Sequence, residues 1–586
     1  MKAKRILSLF SKFLKTLFFC IFYISCSQQV NANEASDVSE NTITPDRPNL
    51  FYSDKGQSLF GYYLRALHAD ANKDTLSAAK FYTESLAIDN TNPELLQASF
   101  INLYATGQII AAAEIAQQAE SLNLNLQMGI EPALVIAAKD ADWEAVLALS
   151  ESAMIEGSSQ HLGFLFRAWA MYNLEQNSAA ISIFKTLSKL LEEQGYNDHK
   201  FIDLFIAQLF ILEKNSSMAL EQLSKISLNK SSNQELIIAT AQTYALAGEL
   251  IFAKKLAYNL SENYNREKVL FWLEQMSETD IPEEQRGYFL AQSIVHLSLF
   301  TLTDESMSYL RHRSQLGLFL AESYDFDLPA ANFILLQLAD KQNNFKDTSL
   351  HFNSIPETNP RFQNSLMLYL YQLKQYDETA DAIKKLQAYI LRGNSNIILT
   401  EMLADFYRIE KQYYDAIKTY ENVARKKPNL ADVYRKLGIC YEQTNQPKLA
   451  ESAFEKALRL NPNDSNTLNH LGYWWADEGR NLSKAAELIT RAVELYPDNG
   501  YYADSLGWVY FKIGEIEKSV LWLERAVQLA PDDAVIHEHL GDVYWHLGRP
   551  LEARYKWQLA HEMHSDKKIR ELVSEKIKFG LFPKEN

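Results

Sequence analysis

The amino-acid sequence predicts an all-α solenoid, in which helix–turn–helix units stack side by side. Three observations support this fold class. The chain has 586 residues, which is too long for one compact core and favours several domains or an array of repeats. Glycine and proline are sparse, at 20 and 15 residues, which favours long helices over turn-rich β structure. The third observation is a Leu-Gly pair that returns at a fixed interval.

The repeat is clearest in the last third of the chain. Leu-Gly pairs recur every 34 or 35 residues, and an aromatic residue follows each glycine by three positions. Small residues come later in each unit, and a proline closes most units. These positions are Leu437-Gly438, Leu471-Gly472, Leu506-Gly507 and Leu540-Gly541; Tyr441, Trp475, Tyr510 and Tyr544; Ala450, Ala485, Ser519 and Ala553; and Pro462, Pro497 and Pro531.

Each recurring residue has a physical role in a pair of packed helices. Gly507 is expected to face Ser519 on the second helix, so that the two helices approach closely, while Tyr510 and Leu523 fill the space beside them. Pro531 cannot continue a helix and marks the linker to the next unit. Because one unit cannot bury its apolar stripe alone, neighbouring units must stack into a continuous core.

This pattern resembles the tetratricopeptide repeat (TPR), a helix–turn–helix unit of 34 residues. The resemblance implies a right-handed α-solenoid with five regular repeats over residues 397–564, although the first has Ala404 where glycine is usual. Weaker signals predict degenerate repeats over 56–396, with a break or bend at 277–287. Residues 565–586 are expected to form a C-terminal capping helix and tail. The layout is similar to that of exported TPR proteins of alphaproteobacteria.

The N-terminus predicts export. Residues 1–32 combine a basic start, an apolar core and a small-residue site at Ala32, which together form a signal peptide. Two alternatives stay open: lipidation at Cys26, because "YISC" resembles a bacterial lipobox, and an uncleaved membrane anchor. Residues 33–55 are polar and acidic and predict a flexible tether. The expected location is the periplasm, with membrane contact only through the N-terminal lipid or anchor.

Composition and motifs exclude several function classes. The formal net charge of −16 argues against nucleic acid as a partner, because this surface would repel a phosphate backbone. No nucleotide-binding loop, nucleophile elbow or zinc-protease motif occurs in the sequence. His561 and His564 are spaced like a pair of metal ligands but lack an obvious third. We therefore predict no enzyme, no cofactor and no metal site.

The resemblance also predicts a binding groove. In TPR proteins the second, fifth, ninth and twelfth residues of each first helix line the concave surface. Carried onto the last three repeats, these positions form an aromatic stripe flanked by amides and acids, and aromatic anchors in a groove are typical of peptide recognition. The predicted groove residues are Asn466, Asn469, Tyr473, Tyr501, Asp504, Trp508, Phe511, Glu538, Asp542 and Trp545. Alternatively, these rings pack against a folded-over segment of the same chain or broaden the core.

The function predicted from these features is a non-catalytic scaffold in the bacterial cell envelope that binds protein or peptide partners in its groove. Asp504, Glu538 and Asp542 would oppose the binding of a peptide carboxylate. The alternative is a polysaccharide-export or cell-wall factor, in which the aromatic faces stack on sugar rings and the amides bind hydroxyl groups.

Overall fold

A computed structural model describes residues 58–155, 157–196, 201–277, 285–301, 307–394 and 396–581. Over these ranges the fold is all-α, as predicted. The predicted signal peptide, Cys26 and the predicted tether lie outside the described residues. Within the described ranges, no helix combines the length and apolarity needed to cross a membrane.

Among the described residues, most helices pair into antiparallel hairpins, and two helices pack on a neighbouring hairpin without a hairpin partner of their own. In chain order the first hairpins are Leu59–Ala71 with Thr75–Leu86, Pro93–Ala105 with Ile109–Ser121, Ile130–Lys139 with Trp143–Ile155, Gln160–Asn173 with Asn177–Glu193, Phe201–Leu212 with Ser216–Leu223, and Gln234–Leu246 with Leu250–Ala257. Next come the single helix Arg266–Ser277 and the hairpins Gln285–Thr301 with Met307–Ser323, Pro329–Lys341 with Phe345–Asn353, and Phe362–Gln375 with Thr379–Leu391. The chain continues with Ile397–Ile409 and Tyr413–Lys426, Ala431–Gln443 and Pro447–Leu460, Ser465–Asp477 and Leu482–Leu495, Gly500–Ile513 and Ile516–Leu529, Ala534–His546 and Pro550–Met563, and the single helix Lys567–Phe579.

The repeated glycines make room for large side chains of the second helix. A Cβ on Gly507 would lie 2.6 Å from Leu523 Cγ, so the glycine faces Leu523 rather than Ser519. The glycines of the other three Leu-Gly pairs face equally large side chains, namely Phe454, Ile489 and Trp557. Close packing of the two helices therefore depends on a glycine against a large apolar residue, and the apolar residue is buried inside the repeat.

The hairpin Gln285–Thr301 with Met307–Ser323, here called the inner hairpin, leaves the wall of stacked hairpins. Met307–Ser323 packs against Pro93–Ala105 and Ile130–Lys139, which are the first helices of two successive hairpins. Gln285–Thr301 packs against the first helices of the next two hairpins. The inner hairpin therefore covers the surface that four consecutive first helices present, where a solenoid would have its groove.

A buried ion pair holds the inner hairpin in place. Arg313 Nη2 lies 2.9 Å from Glu131 Oε1, and both side chains are fully buried. Glu131 also accepts hydrogen bonds from Tyr104 Oη at 2.6 Å and from Ser159 Oγ at 3.0 Å. Burial opposes the charge of Arg313, but Glu131 outweighs this effect, and the pKa of the guanidinium is raised. Polar contacts across this packed surface thus join residues far apart in the sequence.

The described residues between 58 and 353 are here called the N-terminal region, and the first and last hairpins of this region contact each other. Lys73 Nζ donates to the carbonyl oxygen of Gln342 at 3.3 Å, which joins the turn of the first hairpin to a turn near the end of the region. Arg311, on the inner hairpin, reaches Asp347 at 3.2 Å and Gln342 at 2.9 Å. The largest buried apolar cluster runs from Ala66 to Leu338 and includes the inner hairpin. The predicted break at 277–287 thus lies at the start of the inner hairpin, which begins at Gln285.

Candidate functional site

The candidate site is the surface formed by three first helices near the C-terminus, Ser465–Asp477, Gly500–Ile513 and Ala534–His546, together with the following helix Lys567–Phe579. We call this surface the C-terminal groove and the last of these the C-terminal helix. Side-chain caps fix where three of these four helices begin. For example, Asn499 Oδ1 accepts from the backbone N–H groups of Tyr501 and Tyr502 at 3.0 and 3.2 Å. The predicted groove positions are therefore held on rigid helices.

A histidine, a carboxylate and a tryptophan form the centre of the groove. His539 Nδ1 lies 2.9 and 3.0 Å from the two carboxylate oxygens of Asp504. The imidazole stacks on Trp508 with ring centroids 4.0 Å apart and an interplanar angle of 18°. Burial opposes protonation of His539, but Asp504 outweighs it, and the pKa of the imidazole is raised. Asp504 and Trp508 are both buried, so Asp504 is not an open acidic site.

The other two predicted acids are held by the C-terminal helix. Lys576 Nζ lies 2.6 Å from Glu538 Oε1 and 2.9 Å from Asp542 Oδ2. Trp557 Nε1 donates to Asp542 at 2.8 Å. Burial raises the pKa of Asp542, and Lys576 only partly offsets this rise. Glu538 and Asp542, which were expected to oppose a peptide carboxylate, thus share one cation of the same chain, Lys576.

Trp545 is covered by the chain that follows the C-terminal helix. A side chain at Gly580 would run into the indole ring, and Arg554 lies over the same ring at 5.1 Å from its centroid. Arg554 Nε also donates to the carbonyl oxygen of Ile577 at 2.9 Å. Trp545 therefore packs against a folded-over segment of its own chain.

The remaining predicted residues face the groove with varied exposure. Tyr501 is 58% exposed and Asn466 is also exposed, whereas Tyr473, Phe511 and Asn469 are half-buried. Phe511 contacts Trp508 with centroids 5.2 Å apart. Burial, reinforced by nearby carboxylates, raises the pKa of Tyr473. The groove therefore presents rings and amides, and Lys512 lies over the ring of Trp508 at 4.9 Å from its centroid.

Two polar atoms of the predicted groove residues have no hydrogen-bond partner among the described residues. They are Oδ1 of Asn469 and Nε1 of Trp508, and both atoms are buried. Buried polar atoms are normally paired, because leaving one unpaired costs free energy. Asn466 differs, since its Oδ1 accepts from Tyr502 Oη at 2.9 Å and its side chain is exposed. Of the two predicted amides, Asn466 is therefore the one that a ligand can reach.

Sequence reasoning missed His539 and Lys576. His539 occupies the sixth position of its helix, next to the predicted fifth position, and its partner Asp504 lies 35 residues earlier. Lys436 holds the same sixth position three repeats upstream and donates to Glu401, also 35 residues earlier, at 3.0 Å. A basic residue at the sixth helix position, one repeat length after an acidic residue, was the signal that could have predicted the contact of His539. Lys576 lies 34 residues after Asp542, and this spacing of one repeat could have predicted their contact.

The groove has the chemistry of binding by stacking and hydrogen bonds. Within the described ranges, no group of three or more His, Cys, Asp or Glu side chains could hold a metal ion. Cys440 is buried inside its helix, and burial raises the pKa of its thiol to about 12, which keeps it protonated at neutral pH.

Family models and curated relatives match the repeats. A model described as "Tetratricopeptide repeat" matches residues 395–463, and one described as "TPR repeat" matches residues 507–548. A probable UDP-N-acetylglucosamine–peptide N-acetylglucosaminyltransferase SPINDLY of Petunia hybrida is 33% identical over 94 residues, 16% of this chain and 10% of that protein. A TPR repeat-containing protein of Pseudomonas aeruginosa is 27% identical over 199 residues, 33% of each chain. The chain thus spans only a tenth to a third of these relatives.

Solved structures that are similar to this chain superpose on it with low TM-scores. The Cut9–Hcn1 hetero-tetramer of APC/C is 14% identical, with a TM-score of 0.36, and the match covers 89% of this chain and 96% of that one. MamA from Desulfovibrio magneticus RS-1 is 20% identical, with a TM-score of 0.26, over 28% and 94%. With the glycine-to-large-residue packing, the two family-model matches show that residues 395–463 and 507–548 of this chain contain tetratricopeptide repeats.

Proposed function

We propose that this protein is a non-catalytic scaffold of the bacterial cell envelope, and that its C-terminal groove binds a segment of a partner protein. Tetratricopeptide repeats generally mediate contacts between proteins. The observation that carries the proposal is the exposure of Tyr501 beside the half-buried Tyr473 and Phe511, on a surface where the acids are already paired. Exposed rings on rigid helices are typical anchors of recognition.

The chemistry of the groove defines the partner segment. Asp504, Glu538 and Asp542 are paired within the chain, so they leave little net charge to select a charged ligand. Aromatic faces suit apolar side chains, and the exposed amide of Asn466 suits the main chain of a bound segment. We infer a segment with apolar side chains that is bound partly through its main chain.

The proposed location follows from the predicted signal peptide. A chain that is exported and then cleaved after Ala32, or lipidated at Cys26, would expose the groove to partners in the periplasm. Detection of the mature N-terminus by mass spectrometry distinguishes these two forms. A chain that retains residues 1–32 and fractionates with the cytoplasm would contradict the export proposal.

The test is a pull-down from cross-linked cells with the tagged full chain. We expect one defined envelope protein to be enriched by the wild type and lost with the double variant Tyr501→Ala and Phe511→Ala. Tyr555→Ala is the matched control, because Tyr555 is similarly exposed, at 62%, but lies on a second helix away from the groove. Retention of the partner by the double variant would move the binding site elsewhere.

A second candidate is glycan binding at the same surface. It is favoured by the exposed ring of Tyr501 and the exposed amide of Asn466, which lie on adjacent first helices. Aromatic faces stack on sugars, and amides bind hydroxyl groups. Binding of purified cell-wall glycan that is lost with Tyr501→Ala, in the absence of any protein partner, would support this candidate over the first.

A further inference from the structure

An apolar trough of about 1110 Å³ lies in the N-terminal region, far from the C-terminal groove. Its floor is helix Ile130–Lys139, and its walls are Ile109–Ser121 and Trp143–Ile155. Ile130, Ala133, Ile136 and Ala137 form the floor. The opposite side of the same helix carries Glu131, which binds Arg313 of the inner hairpin. The trough therefore faces away from the filled groove.

The same kind of trough occurs in the regular repeats, but it is much smaller. Between helices Pro447–Leu460 and Leu482–Leu495 its volume is about 420 Å³, and Leu471 and Trp475 are among its lining residues. Ala133 and Ala137 have the same spacing of four residues as Leu471 and Trp475. Two alanines on the floor of the larger trough thus leave space that a leucine and a tryptophan fill in the regular repeat.

The trough is lined mainly by apolar side chains, with Gln117, Asn123, Asn125 and Ser152 among them, and its charges have one sign. Ile110 and Ile155 are 54% and 84% exposed at its edges. Glu114 and Glu120 line it and are exposed, and among the described residues that line it there is no Lys, Arg or His. The trough therefore offers exposed isoleucines beside carboxylates. The carboxylates select a cationic partner.

We propose that this trough docks an amphipathic helix of a partner protein, with apolar residues facing Ala133 and Ala137 and with Lys or Arg near Glu114 and Glu120. A helix fits because the trough runs between two helices over a third, and a helix laid in an apolar groove buries its side chains at i, i+3, i+4 and i+7. The ten residues of Ile130–Lys139 span about 15 Å, which matches about three turns of a bound helix.

The first test uses a fluorescein-labelled peptide of leucine and lysine, about 18 residues long, that forms an amphipathic helix. Fluorescence anisotropy with the full chain is expected to show binding. Filling the trough with Ala133→Leu and Ala137→Tyr should weaken binding at least tenfold, because these residues restore the side chains found in the regular repeats. Equal binding by the filled variant would overturn the proposal.

A second pair of variants tests charge without altering the floor. Glu114→Lys with Glu120→Lys should also weaken binding of the leucine–lysine peptide at least tenfold. Glu144→Lys is the control, since Glu144 is exposed on the hairpin that supplies the floor of the trough but does not line the trough. If the filled variant fails to fold by circular dichroism, Ile155→Ser replaces it, because a side chain that is 84% exposed contributes little to folding.

Other occupants give distinct outcomes, and each of them would overturn the proposal. A leucine–glutamate peptide that binds as tightly would show that charge plays no part. A fluorescent fatty acid that binds the wild type and is excluded by the filled variant, while the peptide is not, would make the trough a lipid site. Dimerisation in sedimentation analysis that is lost in the filled variant would assign the trough to a second copy of the chain.

Discussion

The N-terminal and C-terminal regions present the same kind of surface in opposite states. In the first, four consecutive first helices are covered by the inner hairpin, and the contact includes a fully buried ion pair. In the second, the corresponding helices expose rings and amides to solvent. Among the described residues, the C-terminal helix covers the last repeat of this region. A repeat fold therefore supplies grooves wherever it extends, and additional segments of the chain decide which of them stay open.

The two regions also hold their charges differently. The side chains of Arg313 and Glu131 are buried and contact each other, and Glu131 also accepts hydrogen bonds from Tyr104 and Ser159. Glu442 and His470, which pair at 2.7 Å on the open side, remain partly exposed. Because removing one partner of a buried pair strands the other charge, the filled groove should be far more sensitive to substitution than the open one.

The largest expected effect is that of Glu131→Gln. It leaves Arg313 charged and buried with only a neutral partner, and we expect the free energy of unfolding to fall by about 3–5 kcal/mol. The measurement is urea unfolding monitored by circular dichroism, with hydrogen exchange to locate the change. Exchange should rise first in Met307–Ser323 and in the helices beneath it.

The control is Glu442→Gln in the open region. Its partner His470 stays accessible to water, so the loss should be about 0–1 kcal/mol. Equal effects of the two variants would mean that the inner hairpin is not seated as described, and the distinction between filled and open grooves would then fail.

The next effect is that of Gly507→Leu, which acts on the repeat itself. Leucine at this position would collide with the side chain of Leu523 and approach its backbone nitrogen, at 2.6 and 3.1 Å from the Cβ. We expect a loss of about 1–3 kcal/mol, measured as a lower thermal midpoint. Gly157→Ala serves as control, because nothing lies within 4 Å of its added Cβ. An unchanged midpoint for Gly507→Leu would contradict the helix register of the C-terminal region.

One buried histidine in each region should respond oppositely to pH. Burial lowers the pKa of His351 in the N-terminal region to about 4, below its unfolded value of about 6.5. The unfolded chain then binds a proton that the folded one does not, so stability is lost as pH falls from about 6.5 toward 4. His539 has a raised pKa in the folded state, so its contribution is present below about 6.5 and is lost as pH rises through the raised value.

Single variants isolate these two groups. Unfolding free energies of the wild type, His351→Asn and His539→Gln are compared between pH 5 and pH 8. The free energy of unfolding of the wild type should exceed that of His351→Asn by less as pH falls. It should exceed that of His539→Gln by less as pH rises. His537, whose pKa burial lowers, is present in all three proteins and cancels. Differences of the same sign would contradict the contrast between the regions.

The regular repeats could be predicted because their information is local. Gly507 and Leu523 lie within one unit, and the same pair of positions recurs through the array, so one register explains all of them. The inner hairpin could not be predicted, because Arg313 contacts Glu131 across 182 residues and no periodicity links them. The sequence indicated only a break near residue 280, with no information about where the chain went next.

The candidate site was partly predictable for the same reason. Its ten positions follow from the repeat, and Tyr501 and Asn466 are exposed where the repeat puts them. What decides the chemistry of the acids is His539 and Lys576, which come from neighbouring units. Their effect depends on packing between units, and the positions of one helix cannot supply that information.

The smallest expected effect on stability is that of Tyr501→Ala, and it is the sharpest test of an open groove. The ring is 58% exposed, and the backbone N–H of residue 501 keeps its bond to the Asn499 cap, so the loss should stay within about 0.5 kcal/mol. An exposed anchor should instead lower affinity for the captured partner by tenfold or more, measured by calorimetry. Tyr104→Ala, at a fully buried ring beneath the inner hairpin, should show the reverse, with a large loss of stability. If Tyr501→Ala lost more than about 1 kcal/mol of stability, the ring would be part of the core. The C-terminal groove would then be filled by its own side chains, just as the N-terminal one is filled by its own hairpin.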